Sequence, residues 1–159
     1  MLPKVFFFVP AILASAVPRQ DSCASDRMPT KFVIDNLSGT SNDTGSSFID
    51  LTFTYTPYSS SGVLSPPVTC SYDASTQPVK IPGRSNRWAC EDPLVQFLYS
   101  SGRLTMVQKT CIQNGSPTIE ASGSVNPTLG CTRSFPTHRC FNTQVNGTFV
   151  SLAPAPPSS

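Results

Sequence analysis

SFIDLTFTYT, residues 47–56, is the stretch that most clearly indicates how this chain of 159 residues folds. Apolar side chains occupy its odd positions from Ile49 to Tyr55, and aspartate or threonine occupies the positions between. A period of two is typical of a strand with one face buried and one face in water. The 16 prolines and the many β-branched residues oppose long helices. The stretch therefore indicates a β protein.

The rest of the chain repeats this pattern of short extended segments separated by turn residues. Eight strands are predicted, at Lys31–Leu37, Ser47–Thr56, Val68–Tyr72, Arg87–Cys90, Leu94–Tyr99, Arg103–Thr110, Thr118–Val125 and Gln144–Leu152. Leu94–Tyr99 is almost wholly apolar, so we expect it to be buried on both faces, and Ser101-Gly102 predicts a two-residue hairpin after it. Gly123 is interpreted as a bulge. We predict a single-domain, all-β fold, an antiparallel barrel or sandwich of about eight strands.

The N-terminus has the features of a signal peptide. Lys4 supplies a positive charge, Val5–Leu13 is apolar, and Ala14-Ser15-Ala16 is a cleavage site of small residues. The apolar run is shorter than the ~20 residues that span a bilayer, so we expect a secreted protein and no membrane anchor. We assign residues 1–16 to the signal, 17–29 to an N-terminal arm, 30–152 to the β domain and 153–159 to a disordered, proline-rich tail.

The charge balance argues against a nucleic-acid partner. Loss of Lys4 with the signal lowers the formal net charge from +2 to +1, and only 13% of the residues are charged. A protein this close to neutral lacks the basic surface that phosphate backbones attract.

Export makes the six cysteines readable as a framework of three disulfides, because the extracellular space is oxidising. A metal site would need paired cysteines or Cys/His clusters, but the nearest cysteines are Cys131 and Cys140 and the only histidine is His138. We therefore expect neither a metal nor another cofactor. Four asparagines stand in N-x-S/T sequons and are candidate glycosylation sites: Asn36, Asn42, Asn114 and Asn146.

The order of the cysteine and aromatic segments is distinctive. Residues 68–75 read VTCSYDAS, 87–90 RWAC, 95–99 VQFLY, 104–111 LTMVQKTC and 120–124 EASGS, and Cys131 and Cys140 follow. This pattern, from Lys31 to Leu152, resembles the Alternaria major-allergen-like family of fungal secreted proteins. The resemblance implies a compact β-barrel or sandwich that acts as an effector, an elicitor of plant defence or an allergen, with no agreed catalytic site.

The same resemblance implies the cross-links Cys70–Cys90 and Cys131–Cys140. Cys23 and Cys111 then remain for the third disulfide. In the allergen prototype an N-terminal cysteine is free to form an interchain bond, so a disulfide-linked dimer is the alternative. Because Cys111 offers Cys23 an internal partner, we expect a monomer.

Enzymatic alternatives find few residues to support them. A secreted ribonuclease would combine Glu120 as base, His138 as acid, and Arg133 or Arg139 to stabilise the transition state. A glycosidase would need two facing carboxylates, for which Asp50, Glu120 and the pair Glu91-Asp92 are candidates. A serine or cysteine triad lacks any histidine other than His138. We expect no catalytic residues and no enzymatic activity.

Two binding functions remain. In the first, the protein contacts an unidentified host or cell-wall protein through its loops, at 58–67, 77–86 and 131–140. The candidate binding residues form a mildly basic surface if they fold to one side: Lys80, Arg84, Arg87, Arg133, His138 and Arg139. In the second, the protein carries a small apolar ligand in a pocket lined by aromatic side chains. The aromatic candidates are Phe53, Tyr55, Trp88, Phe97 and Tyr99.

Overall fold

The structure is a computed structural model that describes residues 23–156. The predicted signal peptide, the first part of the N-terminal arm and the last three residues of the tail lie outside this range. Within it the chain forms one short 3-10 turn, Ser25–Arg27, followed by eleven strands. The strands are β1 (Lys31–Ser41), β2 (Asp50–Ser59), β3 (Gly62–Val63), β4 (Val68–Tyr72), β5 (Trp88–Ala89), β6 (Val95–Ser100), β7 (Arg103–Gln113), β8 (Ser116–Val125), β9 (Gly130–Ser134), β10 (Thr137–Thr148) and β11 (Ser151–Pro154).

The described strands form two antiparallel sheets. Sheet I has the order β3-β2-β1-β10-β9, with β4 also paired to β2. Sheet II has the order β11-β8-β7-β6-β5. The all-β prediction is confirmed, and the strands do not close into one barrel.

The period of two in β2 produces the expected burial. Leu51, Phe53 and Tyr55 are at most 2% exposed and point into the core, whereas Thr52 faces solvent. Ile49 was expected to share the buried face, but it precedes the strand and is 40% exposed. The core is built from both sheets, and the rings of Phe53 in β2 and Phe97 in β6 meet edge to face at 4.9 Å.

Three disulfides cross-link the described residues, with the pairings given in the sequence analysis. Cys70–Cys90 joins β4 of sheet I to the end of β5 in sheet II. Cys23–Cys111 joins the N-terminal arm to β7. Cys131–Cys140 crosses the hairpin of β9 and β10.

The hairpin prediction after β6 is confirmed. Ser100 pairs with Arg103, and Ser101 and Gly102 both have positive φ (52° and 75°), which is the geometry of a type I′ turn. Gly123, however, is not a bulge, because β7 and β8 keep their register on both sides of it. A Cβ atom at Gly123 would collide with the backbone of Thr148, so this glycine allows a close approach of β8 and β10.

Several strand ends shift by a few residues, and three segments differ from the prediction in kind. The segment 130–142, expected as a loop, is mostly the hairpin of β9 and β10. The last predicted strand is two strands, since β10 ends at Thr148 and β11 begins at Ser151. The tail was expected to be disordered from residue 153, but Ala153 and Pro154 pair with Glu120 and Ile119 of β8. Proline is tolerated there because β11 is the edge strand of its sheet.

Candidate binding site

The β9–β10 hairpin presents the most exposed large apolar side chain among the described residues. Phe135 lies in the turn between the two strands and is 84% exposed. The guanidinium carbon of Arg133 lies 5.8 Å from the centre of its ring. Thr137 donates its hydroxyl to the carbonyl of Ser134 at 3.0 Å and helps to close the turn. The tip therefore combines an aromatic ring with a cation above it.

The disulfide and strand pairing hold this tip in place. Cys140 lies directly opposite Cys131 in the register, and their sulfurs are bonded. His138 lies opposite Arg133, and Arg139 lies opposite Thr132. On its other edge β10 pairs with β1 along its length, from Lys31 to Ser41. The hairpin is thus an extension of sheet I and not a free loop.

The structure does not bring all six candidate binding residues to one surface. Arg133, His138 and Arg139 lie on the hairpin of sheet I, whereas Lys80, Arg84 and Arg87 precede β5, in the segment next to sheet II. The basic surface that was considered from the sequence is therefore divided into two groups.

Arg84 and Arg87 are also occupied by an ion pair. Nη1 of Arg84 lies 2.6 Å from Glu120, and Nη1 of Arg87 lies 2.9 Å from the other oxygen of the same carboxylate. Arg87 is 8% exposed and Glu120 is 3% exposed, and Gln96 of β6 lies 3.5 Å from Arg87. The two arginines fasten the segment before β5 to sheet II, so they are not free to bind a partner. Of this group, Lys80 alone is exposed and forms no ion pair with an acidic side chain of the described residues.

The same arrangement separates the residues of the ribonuclease alternative. Glu120 lies in β8 of sheet II and is paired with Arg84 and Arg87. His138, Arg133 and Arg139 belong to sheet I. The carboxylates of the glycosidase alternative are also engaged locally. Asp50 accepts the backbone N–H of Thr40 at 3.1 Å, and Asp92 accepts that of Leu94 at 2.9 Å. Among the described residues, no group of three or more His, Cys, Asp or Glu side chains has the arrangement to hold a metal ion.

The five aromatic residues proposed to line a ligand pocket are instead packed against one another or against the core. The rings of Tyr72 and Trp88 stack at 4.3 Å, and Trp88 and Phe97 lie 6.1 Å apart. Tyr55 is fully buried and donates its hydroxyl to Gln108 at 3.0 Å. Burial raises the pKa of Tyr55 above its ordinary value. These residues stabilise the core, and Tyr99 also borders a small cavity beside Gly45 and Leu129.

A cavity of about 430 Å³ lies elsewhere, where the ends of β1 and β10 meet β8. Its lining combines apolar side chains with exposed polar positions: Lys31, Phe32, Val33, Tyr58, Ser124, Val125, Asn146, Gly147 and Thr148. One of the four sequon asparagines, Asn146, is on its rim. This cavity was not anticipated from the sequence.

A second cavity, of about 520 Å³, lies along the hairpin itself. It is lined by Ser38, Thr132, Arg133, Ser134, Arg139, Cys140 and Phe141. Phe141 is 52% exposed, and its ring lies over Gly130, where a Cβ atom would approach the ring to 3.2 Å. We call this cavity the hairpin groove.

All four sequon asparagines are exposed, as a glycan requires. Asn36 and Asn114 have positive φ angles of 54° and 50°, the first within β1 and the second in the turn between β7 and β8. Asn42 follows the end of β1, beside the hairpin, because Ser41 pairs with His138. Use of these sites remains a prediction.

Two of the site residues, Phe135 and Phe141, were missed by the sequence reasoning. Their flanking segment was interpreted as a loop, and neither phenylalanine belongs to an alternating apolar pattern. For Phe135 the available signal was its place beside Pro136, between Cys131 and Cys140. No comparable signal marks Phe141.

Comparison with known proteins supports the fold. The crystal structure of the Alternaria alternata major allergen Alt a 1 is similar to this chain with a TM-score of 0.51 and 18% sequence identity. The match covers 80% of this chain and 96% of that one. No family model matches the chain, and no curated protein matches it in sequence. At this level of identity the likeness shows a shared fold, not a shared family or function.

Proposed function

We propose that the protein is a secreted, non-enzymatic effector or elicitor that acts outside the cell by binding a protein of a host or of a cell wall. The observation that carries the proposal is the exposed Phe135 at the tip of a disulfide-linked hairpin, with Arg133 beside its ring. Aromatic and arginine side chains are enriched among the residues that contribute most to protein–protein binding. Burial of a phenylalanine side chain contributes about 1.5–3 kcal/mol, enough to make one ring a principal anchor.

The rigidity of the hairpin adds to this argument. Cys131–Cys140 and the pairing of β10 with β1 order the tip before a partner arrives. A preordered binding surface loses less conformational entropy on association than a flexible loop does.

The remaining features are consistent with an extracellular role. The six cysteines are all paired in the structure, which suits an oxidising compartment. The predicted signal peptide gives the route of export, and the fold is shared with an allergen. No helix among the described residues is long and apolar enough to cross a membrane.

The proposal is tested by comparing the capture of partner proteins by the wild-type protein and by Phe135→Ala. Each is immobilised and incubated with host apoplastic fluid, and the retained proteins are quantified. We expect Phe135→Ala to lose a partner that the wild-type protein retains. Val150→Ala is the matched control, because Val150 is 81% exposed but follows the opposite end of β10. Equal capture by all three proteins contradicts the assignment of the tip.

The elicitor activity has its own test. Purified protein is infiltrated into plant leaves, and cell death and defence responses are scored. We expect a response to the wild-type protein and a weaker one to Phe135→Ala. Absence of any response to the wild-type protein across hosts contradicts an elicitor role.

A second candidate, the carriage of a small apolar ligand, is favoured by the cavity of about 430 Å³ between β1, β8 and β10. Its volume lies within the range of small-molecule pockets, and Phe32, Tyr58 and Val125 supply apolar contacts. Native mass spectrometry of secreted, deglycosylated protein tests it. A retained mass above that of the chain supports a carrier, and a bare chain that also fails to retain added apolar compounds contradicts it.

A further inference from the structure

We propose that the hairpin groove, on the β9–β10 hairpin, is a binding site for an acidic glycan, a saccharide that carries carboxylate or sulfate groups. The site goes beyond the proposed function, which concerns a protein bound at the tip. Four observations carry the inference: unpaired cations, a set of hydroxyl groups, an exposed aromatic platform and the open position of the groove at a sheet edge.

The groove is lined by two positively charged side chains. Arg133 and Arg139 both line the groove, and neither forms an ion pair with an acidic side chain of the described chain. Their situation contrasts with that of Arg84 and Arg87, whose charges are neutralised by Glu120. Guanidinium groups bind carboxylate and sulfate-like anions through paired, charge-assisted hydrogen bonds.

The groove contains no acidic side chain that would repel an anion. Thr40 pairs with Asp50 on one side and with Arg139 on the other, so one strand separates the Asp50 position from Arg139. Its carboxylate accepts the backbone N–H of Thr40. The local charge of the groove is therefore positive although the whole chain is close to neutral.

Three residues with hydroxyl side chains line the same groove as the two arginines, and Thr132 lies directly opposite Arg139. Ser38, Thr132 and Ser134 line the same groove, and Thr132 and Ser134 are exposed. A hydroxyl both donates and accepts hydrogen bonds, so it pairs readily with the hydroxyls of a sugar ring. A bare phosphate or sulfate ion would not need this second set of groups, which favours a saccharide over a simple ion.

Phe141 gives the groove one apolar wall. Its ring lies over Gly130, whose lack of a side chain leaves room for it, and about half of its surface remains exposed. The same side of the strand carries Arg139 two residues earlier, opposite Thr132. A sugar presents one face of C–H groups to such a ring while its charged and hydroxyl groups reach the arginines and hydroxyls.

The position of the groove suits a polymer. β9 is the edge strand of sheet I, so the groove is open along the outer side of the hairpin. A groove at the edge of a sheet is open to solvent on the side where no further strand is paired. Such an open groove accommodates a longer glycan than an enclosed pocket would.

The test measures binding of three probes to the full secreted protein after enzymatic deglycosylation, which removes any glycan at the neighbouring Asn42. The probes are an oligogalacturonate, which carries carboxylates, a sulfated dextran fragment of similar length, and a neutral cello-oligosaccharide. Isothermal titration calorimetry at low ionic strength gives the affinities. We expect at least one acidic probe to bind and the neutral one to bind at least about tenfold more weakly, with the affinity for the acidic probe falling as salt is added.

Variants assign the binding to the groove. Arg139→Gln and Phe141→Ala are each expected to weaken binding of the acidic probe by about tenfold or more, since each removes one principal contact. Arg27→Gln removes the same charge from an exposed position outside the hairpin and is expected to leave the affinity unchanged. Circular dichroism shows whether each variant remains folded.

Three outcomes overturn the inference: no binding of either acidic probe, equal binding of the neutral probe, or equal weakening by Arg139→Gln and Arg27→Gln. Preference between the two acidic probes identifies carboxylate or sulfate as the group recognised. Phe135→Ala separates this site from the proposed function, because Phe135 does not line the groove, although Arg133 belongs to both sites. Loss of protein capture in Phe135→Ala with unchanged glycan affinity supports two sites, and a failure of one test leaves the other result standing.

Discussion

Glu120 is a carboxylate enclosed between two guanidinium groups, beneath the segment that precedes β5. It lies opposite Lys109 in the sheet, and it accepts hydrogen bonds from Arg84 and Arg87. Removal of a charge from water is costly, and here the cost is offset by two close cations. Loss of the carboxylate alone is destabilising, because it leaves Arg87 buried without a counter-charge.

We therefore expect Glu120→Gln to lower the free energy of unfolding by about 3 kcal/mol, at the low end for a broken buried pair because Arg84 remains partly exposed. Urea unfolding monitored by tryptophan fluorescence measures it, since Trp88 follows Arg87 directly. Glu91→Gln, at an exposed position, is the control and is expected to change stability by less than about 0.5 kcal/mol. Equal effects of the two substitutions would contradict a stabilising role for the ion pair.

Two tyrosines make stability sensitive to alkaline pH. Burial raises the pKa of Tyr72 to about 12, and it raises the pKa of Tyr99 to about 12 as well. Their hydroxyls donate to the carbonyls of Phe48 at 3.0 Å and of Gly45 at 2.7 Å. In the unfolded chain tyrosine ionises near pH 10, so the unfolded state loses these protons first.

The contribution of these hydroxyls is therefore complete below about pH 10 and is lost as the pH rises toward 12. Tyrosinate absorbance should show a late ionisation step in the folded protein that moves to about pH 10 in urea. Tyr72→Phe and Tyr99→Phe should each remove one tyrosine from the late step. A single step near pH 10 in the folded wild-type protein would show that these hydroxyls are not protected.

Single-residue roles were the hardest to predict from the sequence. Arg84 and Arg87 were interpreted as surface cations, because nothing in the local sequence shows that Glu120 lies beside them in the fold. The aromatic residues considered as the lining of a pocket pack in the core, although Tyr99 also borders a cavity. An aromatic residue type predicts that a side chain is buried. Whether a cavity remains beside that side chain depends on residues distant in sequence that pack against it.

At the scale of elements, strands with alternating apolar residues were predicted well and the polar edge strand was not. The alternation in β2 and the turn Ser101-Gly102 depend on local chemistry that is visible in the sequence. β9 reads GCTRS and is largely exposed, so it lacks any pattern of burial. Its strand form comes from pairing with β10, and the hairpin that carries the candidate site was therefore interpreted as a loop.

The segment before β5 shows how one element changes the surroundings of another. Val95, Gln96, Phe97 and Tyr99 are all buried, which confirms that β6 is enclosed on both faces. One face meets the core of the two sheets. The other is covered where Arg87 reaches across to Gln96 and Glu120. An apolar run indicated this double burial, but the polar group that completes it was not evident from the sequence.

At the scale of the whole molecule, the three disulfides join different parts of the fold over very different lengths of chain. Cys131–Cys140 spans 9 residues within one hairpin, Cys70–Cys90 spans 20 and joins the two sheets, and Cys23–Cys111 spans 88 and attaches the N-terminal arm to β7. A cross-link restricts the unfolded chain more strongly when it closes a longer loop. The disulfides should therefore differ in their contribution to global stability.

On this basis, replacing Cys23 and Cys111 together by alanine should lower the free energy of unfolding by about 4–5 kcal/mol, and replacing Cys131 and Cys140 by about 3 kcal/mol. Alanine is chosen because Cys111 and Cys140 are buried, and serine would leave an unpaired hydroxyl there. Urea unfolding of the two double variants at neutral pH gives the comparison.

The two variants should also differ in function. Loss of Cys131–Cys140 loosens the hairpin that carries Phe135. Of the two double variants, it should therefore have the smaller effect on stability but the larger effect on capture of the protein partner. Loss of Cys23–Cys111 leaves that hairpin intact and should spare capture wherever the protein remains folded. A greater loss of stability without Cys131–Cys140 than without Cys23–Cys111 would show that loop length does not control stability here. Loss of capture without Cys23–Cys111, but not without Cys131–Cys140, would show that the binding surface lies near the N-terminal arm.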